Sequence, residues 1–167
     1  MTWPRLRRQF RGALQTGAYR FLAVRGGAAV GYIDCGTFDC WTPPVLSRSR
    51  LEVIEGPAGS IAFVVAPSAR RQGVAKAMIE ALLARPELAD LRIVGAGVEP
   101  DNAASIATLT SAGFAPQLES PDDEGMLYFI RRPKLAAGAG RTTLGHAPDR
   151  FEGLSVVGAD RGGDACS

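Results

Sequence analysis

The residues best suited to chemistry sit in one short turn. Arg70-Arg71-Gln72-Gly73 follows the unbroken apolar run Ile61 to Ala66 and the stop Pro67-Ser68. It opens into Val74-Ala75-Lys76-Ala77-Met78-Ile79-Glu80-Ala81-Leu82-Leu83-Ala84, whose apolar residues Val74, Ala77, Met78, Ala81 and Leu82 repeat at helical spacing. A run of branched apolar residues like Ile61–Ala66 reads as a strand covered on both faces. The junction is therefore strand, polar turn, helix. The first turn of a helix has backbone N–H groups without partners, and the macrodipole places about half a positive charge there. Gly73 lets a phosphate approach the backbone, Ala75 keeps the next position small, and Arg70, Arg71 and Lys76 add charge. The chemistry is anion capture, with a diphosphate as the natural guest.

A second constellation lies one strand further on: Asn102, Ser105, Leu109 and Gly113-Phe114. Asp101 or Asn102 is placed to cap a helix over about Ala103 to Ala112, and Gly113 suits its end. Arg70-x-x-Gly73-x-Ala75 resembles the pyrophosphate motif Q/R-x-x-G-x-G/A of the GNAT acetyltransferase superfamily, and the second segment resembles that superfamily's N-x-x-A-x-x-L-Y-x-x-x-G-F. The resemblance covers about residues 19 to 133.

The resemblance implies a mixed α/β (α+β) acyl-CoA N-acyltransferase fold: a central, mostly antiparallel sheet with two splayed strands, flanked by helices. It implies acetyl-CoA as cosubstrate, no metal, and transfer of the acetyl group to a primary amine of a small molecule or peptide by direct attack in a ternary complex. Phe63, Val64 and Val65 would face the pantetheine arm, Arg70, Arg71, Gln72, Gly73, Val74 and Ala75 the pyrophosphate, and Asn102 the pantetheine again. One backbone N–H of the splayed strand would polarise the thioester carbonyl and stabilise the oxyanion, which asks for positioning more than for reactive side chains. The family often places a tyrosine just after the position matched by Thr108, as the acid for the leaving thiolate; here that residue is Leu109. A thiol of pKa about 8.5 tolerates leaving unaided. Glu99 and Asp34 are the candidate bases for the acceptor ammonium. The family also begins with a strand and two helices before the first hairpin, and residues 1 to 18 have room for only one short helix. The first strand and first helix are thus expected to be missing, leaving a sheet edge that a second copy of the chain could cover. Leu109 and the short N-terminal region also suit a second reading, a non-catalytic acyl-CoA-binding sensor or subunit.

The remaining elements follow in order. Residues 1 to 20 carry Arg5, Arg7, Arg8, Arg11 and Arg20 without an acid, and Trp3, Leu6, Phe10 and Leu14 fall near one helical face. The expectation is a helix packed on the domain with its arginines in water; contact with acidic lipid or nucleic acid, and a transit peptide, are the alternatives. Tyr19–Val24 and Ala28–Gly36 form a hairpin around Arg25-Gly26-Gly27. Residues 37–59 read as a long irregular loop punctuated by Pro43-Pro44, Ser47 to Arg50 and Gly56-Pro57. Its Phe38, Asp39, Trp41, Glu52 and Glu55 suit recognition of an acceptor; the favoured expectation is that Trp41 plugs the core and the acids face water. Pro86 ends the first helix pattern, Leu91–Val98 is a strand weakened by Gly95 and Gly97, and Phe114–Leu118 with Met126–Arg131 make a last pair around an acidic connection. From Lys134, Gly, Ala, Arg and Asp dominate, broken only by the apolar run Leu154 to Val157. The expected organisation is one domain, 1–133, and a flexible tail, 134–167.

Composition sets bounds. The chain has 167 residues, 46% of them hydrophobic, enough for one domain with a core. A net charge of +2 implies no bulk attraction to nucleic acid. No apolar run is long enough to span a bilayer, and no secretory hydrophobic region opens the chain. Three cysteines, Cys35, Cys40 and Cys166, suit free thiols in a reducing cytoplasm. The lone His146 lies in the tail, so a Ser-His-Asp triad has no histidine in the folded part. Cys35-x-x-x-x-Cys40 lacks a second ligand pair for zinc, and Cys35 has no local histidine to make it a nucleophile. Gly95-x-Gly97 is not followed by the third glycine of a dinucleotide fingerprint.

Overall fold

The computed structural model describes residues 15–41, 53–122, 124–133 and 154–159. Strands β1 (Gln15–Arg25) and β2 (Ala28–Trp41) form the expected hairpin. Gly26 and Gly27, at φ 57° and 79°, supply its two left-handed positions. Strand β3 (Ile54–Val65) pairs antiparallel with β2. A 3-10 turn at Pro67–Ala69 leads to helix α1 (Val74–Leu83). Strand β4 (Ile93–Val98) runs parallel to β3, and helix α2 (Ala103–Ser111) follows. Strands β5 (Ala115–Pro116) and β6 (Leu127–Arg131) pair antiparallel beside β4. Strand β7 (Leu154–Ala159) lies against β1. The seven strands stand in the order β5-β6-β4-β3-β2-β1-β7, antiparallel except at β3–β4. This is the mixed α/β architecture expected from the sequence.

Two expectations are corrected. The stretch 37–59 is not an irregular loop throughout: β2 runs to Trp41 and β3 starts at Ile54, with Phe38 opposite Ala58 and Trp41 opposite Ile54. The glycine and proline that suggested a loop sit at an irregularity instead. The register slips between Phe38 and Cys40, Gly56 adopts φ 96°, and the Pro57 carbonyl accepts the Arg92 N–H at 2.8 Å. Residues 42–52, with Pro43-Pro44 and Glu52, lie outside the described residues, as does the expected N-terminal helix up to Leu14. The second correction concerns Leu154–Ala159. These residues were expected in a flexible tail, yet they form a strand pairing antiparallel with β1 from Arg20 to Arg25. An open edge presents unpaired peptide groups, and a run containing Val156-Val157 is built to take them. The β1 edge therefore has a cover from the same chain.

Strand alternation divides the side chains between two faces. On the near face, Phe21, Ile33, Cys35, Ile61, Val94 and Val98 pack against Val74, Met78, Ile79 and Leu82 of α1 and Leu109 of α2. Fully burying each such aliphatic side chain is worth roughly 1.5–3 kcal/mol. On the far face a smaller cluster gathers Trp41, Ala58 and Ile93, with Phe38, Ile54 and Ile130 around them. Trp41 is fully buried because Gly95 offers it a flat seat: a methyl group at Gly95 would overlap its ring. Between that cluster and the β1–β2 turn the far face carries Tyr32, Asp34, Ala62 and Val64.

Candidate functional site

Strands β3 and β4 stay paired only from Ala58–Ile93 to Ser60–Gly95. Beyond Ser60 they part. The Ala66 N–H donates to the Val30 carbonyl at 2.9 Å, which sets the phase of the β2–β3 ladder. By antiparallel alternation, Val64 and Ala62 turn their peptide groups to β2, while Val65 and Phe63 turn theirs toward β4. Among the described residues no strand pairs with these two. The Val65 carbonyl accepts the Arg70 Nε–H at 3.4 Å. The result is an in-plane slot edged by main-chain groups of Phe63 and Val65.

The turn after β3 is built for anions. Arg71 and Gly73 have φ of 61° and 74°, and Gly73 is the N-cap of α1. Gly73 has no side chain to satisfy the first-turn donors, and the first helical bond is Ala77 N–H to the Gly73 carbonyl at 3.0 Å. The N–H groups of Val74, Ala75 and Lys76 thus lack a partner within the described chain. The Gln72 side chain does a different job from the one expected. Its amide donates to the Ser68 carbonyl at 2.9 Å and accepts from Arg25 Nη1 at 2.6 Å, tying the turn to the end of β1.

Slot and turn open into one cavity of about 710 Å3. Of the residues named from the sequence as cofactor contacts, Phe63, Val64, Val65, Arg70, Arg71, Gly73, Val74, Ala75 and Asn102 line it, and Gln72 does not. Asn102 caps α2, its Oδ1 accepting the Ser105 N–H at 3.1 Å, and faces the cavity as well. Lys76 adds a cation, held loosely by Glu80 at 3.8 Å. Ser105, Thr108 and Ser111 form a further wall; Ser105 and Thr108 are motif positions in the sequence, but none of the three is among the cofactor contacts expected from it. The signal was present in three hydroxyl residues at helical spacing on α2. Thr108 and Ser111 spend their hydroxyl protons on the Ala104 and Thr108 carbonyls.

The candidate bases lie elsewhere. Glu99 follows directly on β4 and is exposed. Asp34 is on the far face, buried, one strand removed from the slot, and takes the Tyr32 hydroxyl at 3.3 Å. Burial pushes its carboxyl above the usual range, against the Tyr32 and Ala62 hydrogen bonds and the Arg20 charge that favour the anion. The Cys35 thiol is fully buried and pushed up to about 12 by burial and by Asp34, so it stays protonated and is no nucleophile. Leu109 is buried in the near-face core and brings no hydroxyl to the cavity.

The family model described as "Acetyltransferase (GNAT) family" matches residues 2–114, about two thirds of the chain. The chain belongs to the GNAT acetyltransferase family. Among curated proteins it resembles the uncharacterized N-acetyltransferase YfmK of Bacillus subtilis (strain 168), with 33% identity over 72 residues, covering 43% of this chain and 49% of that one. The aligned part thus spans about half of that relative's length. Its fold is similar to the ribosomal-protein-alanine N-acetyltransferase of Brucella melitensis, with TM-score 0.52 and 22% identity over 69% of each chain. It is similar also to the aminoglycoside acetyltransferase AAC(6')-Ib in complex with coenzyme A, with TM-score 0.52 and 16% identity over 72% of this chain and 69% of that one. For a GNAT chain the cavity fits a coenzyme: three amides without a partner among the described residues, with Arg70 and Arg71, suit a diphosphate, and the slot's peptide groups suit the amides of a pantetheine arm.

Proposed function

We propose that this protein is an N-acetyltransferase that moves an acetyl group from acetyl-CoA to a primary amine of a small molecule or peptide by direct attack in a ternary complex. The observation that carries the reading is the continuity of the anion cradle at the start of α1 with the slot where β3 leaves β4. A diphosphate held by the Val74, Ala75 and Lys76 amides and by Arg70 and Arg71 would direct an extended arm along Phe63 and Val65. A main-chain N–H at Phe63 would then polarise an acyl carbonyl and take up the charge that develops on its oxygen. With no Cys, His, Asp or Glu among the residues that line the cavity, rate acceleration would rest on that donor and on alignment. Glu99, directly after the strand bordering the slot, would be the better placed of the two carboxylates to accept the ammonium proton. Relatives of this fold act on acceptors as different as a ribosomal protein and an aminoglycoside, so the shared fold leaves the acceptor open.

The test is titration calorimetry with acetyl-CoA, followed by a free-thiol assay over a panel of amines. Micromolar binding and amine-dependent thiol release are expected. Absence of coenzyme binding would end the reading. A second reading, an acyl-CoA-binding sensor or subunit without turnover, draws on one observation: the core position of Leu109 where the family often has a tyrosine. Tight coenzyme binding with no thiol release from any amine would favour it.

A further inference from the structure

The far face of the sheet holds a group that the coenzyme cavity does not use. Asp34 sits mid-strand on β2, 8% exposed, with Ser60 beside it equally buried. A carboxylate offers about four acceptor positions, and the side chain that donates to this one is the Tyr32 hydroxyl, at 3.3 Å. Arg20 lies opposite Asp34 in the β1–β2 register without closing an ion pair to it, and burial outweighs its charge at the carboxyl. Buried carboxylates are ordinarily paired; among the described residues this one has no ion-pair partner.

Its surroundings define what that cation would be attached to. The coenzyme cavity is bounded by α1 and α2 on the near face, so an acceptor meeting the slot from the other side crosses the far face. There it meets Val64, 52% exposed, and Leu22, 40% exposed, with Gly97 offering no side chain at the rim of β4. Asp34 is paired with Ala62, and Ala62 is next in sequence to Phe63, which edges the slot. Strand β3 stands between Asp34 and the slot, so the carboxylate lies more than one strand spacing, ~5 Å, from the reacting position. That is too far to hold the attacking nitrogen and suits a second cation a few bonds away.

We propose that Asp34, assisted by the Tyr32 hydroxyl, anchors a second ammonium group of the acceptor on the far face, so that the preferred substrates are diamines or polyamines with a short apolar spacer. Asp34 is then a specificity-determining residue, separate from whichever group takes the reacting proton. The inference rests on the acetyl-transfer reading above.

The experiment compares 1,4-diaminobutane with butylamine, using parent protein, Asp34→Asn and Tyr32→Phe. For each protein, acetyl-CoA affinity is measured by calorimetry, KM and kcat by thiol release, and amine binding by calorimetry on the coenzyme A-loaded protein. The parent is expected to favour the diamine at least tenfold in kcat/KM or in affinity. Asp34→Asn should erase that preference, mainly through KM, while acetyl-CoA affinity stays within twofold. Tyr32→Phe should reduce the preference two- to fivefold. Equal handling of both amines by the parent, or an unchanged preference in Asp34→Asn, overturns the proposal while coenzyme binding keeps the earlier reading intact. Failure of the parent to bind acetyl-CoA instead overturns the earlier reading, and this proposal with it.

Discussion

The two faces of the sheet offer groups of different kinds for binding. On the near face the cavity at α1 is built from main chain: three first-turn amides, a left-handed glycine and the peptide edge of β3. On the far face the groups are side chains: the Tyr32–Asp34 pair, two residues apart on β2, and Trp41, seated on Gly95 of β4. A main-chain site depends on backbone geometry and tolerates side-chain change, except where Cβ itself intrudes. A side-chain site tolerates backbone adjustment and fails with the loss of one functional group. Coenzyme affinity should therefore respond to near-face changes alone, and acceptor choice to far-face changes alone.

The largest expected effect tests the near face. Gly73→Glu places a side chain and a negative charge in the cradle, and acetyl-CoA affinity should fall at least a hundredfold in calorimetry. Gly73→Ala adds only a Cβ at φ 74°. It should cost about 1 kcal/mol of stability through left-handed strain and weaken affinity far less. Similar losses for the two would show that space and charge at the cradle do not matter.

Next in size is a far-face packing change. Gly95→Ala collides with the Trp41 ring, and overpacking of this kind costs about 1–3 kcal/mol. Thermal unfolding should fall by several degrees at a rate of about 2–4 °C per kcal/mol. An unchanged melting temperature would mean that Trp41 has another place to go. Asn102→Ala removes the α2 cap, worth about 1 kcal/mol. If Asn102 also meets the coenzyme arm, affinity should drop beyond what the same loss of stability produces elsewhere.

The smallest effect concerns pH. The raised Asp34 carboxyl binds its proton more tightly in the folded protein than in the unfolded chain. Its contribution to stability is therefore most favourable below the ordinary carboxylate pKa of about 3.9. That contribution falls as pH rises from there through the folded-state value. Asp34→Asn should melt above the parent at pH 7, with the gap closing as the pH is lowered toward 4. A variant less stable than the parent at pH 7 would show Asp34 to be better satisfied than burial alone allows.

The same contrast explains what the sequence disclosed. The end of β3, the turn and α1 were legible almost to the residue, because a strand, a glycine and an amphipathic helix are local features. So was the Asn102 cap, whose bond spans three residues. The extension of β2 and β3 across 37–59 was hidden, since Gly56 and Pro57 signal a loop unless the partner strand and its register slip are known. Strand β7 was hidden for a related reason: Leu154–Ala159 sits in tail-like composition, and its partner β1 is more than a hundred residues away. Gln72 shows the converse. Its place in a motif suggested a ligand, but its side chain is committed to Ser68 and Arg25. Asp34 was visible as a carboxylate, yet its burial and its distance from the slot are products of the sheet order.

The central claim is that the amides at the start of α1 and at the β3 edge seat the coenzyme. Amide-detected NMR on uniformly 15N-labelled protein titrated with acetyl-CoA tests it directly. The largest shifts are expected at Val74, Ala75, Lys76, Phe63 and Val65, with Leu22 and Tyr32 on the far face nearly still. Shifts that leave Val74 to Lys76 untouched while acetyl-CoA binds would contradict it.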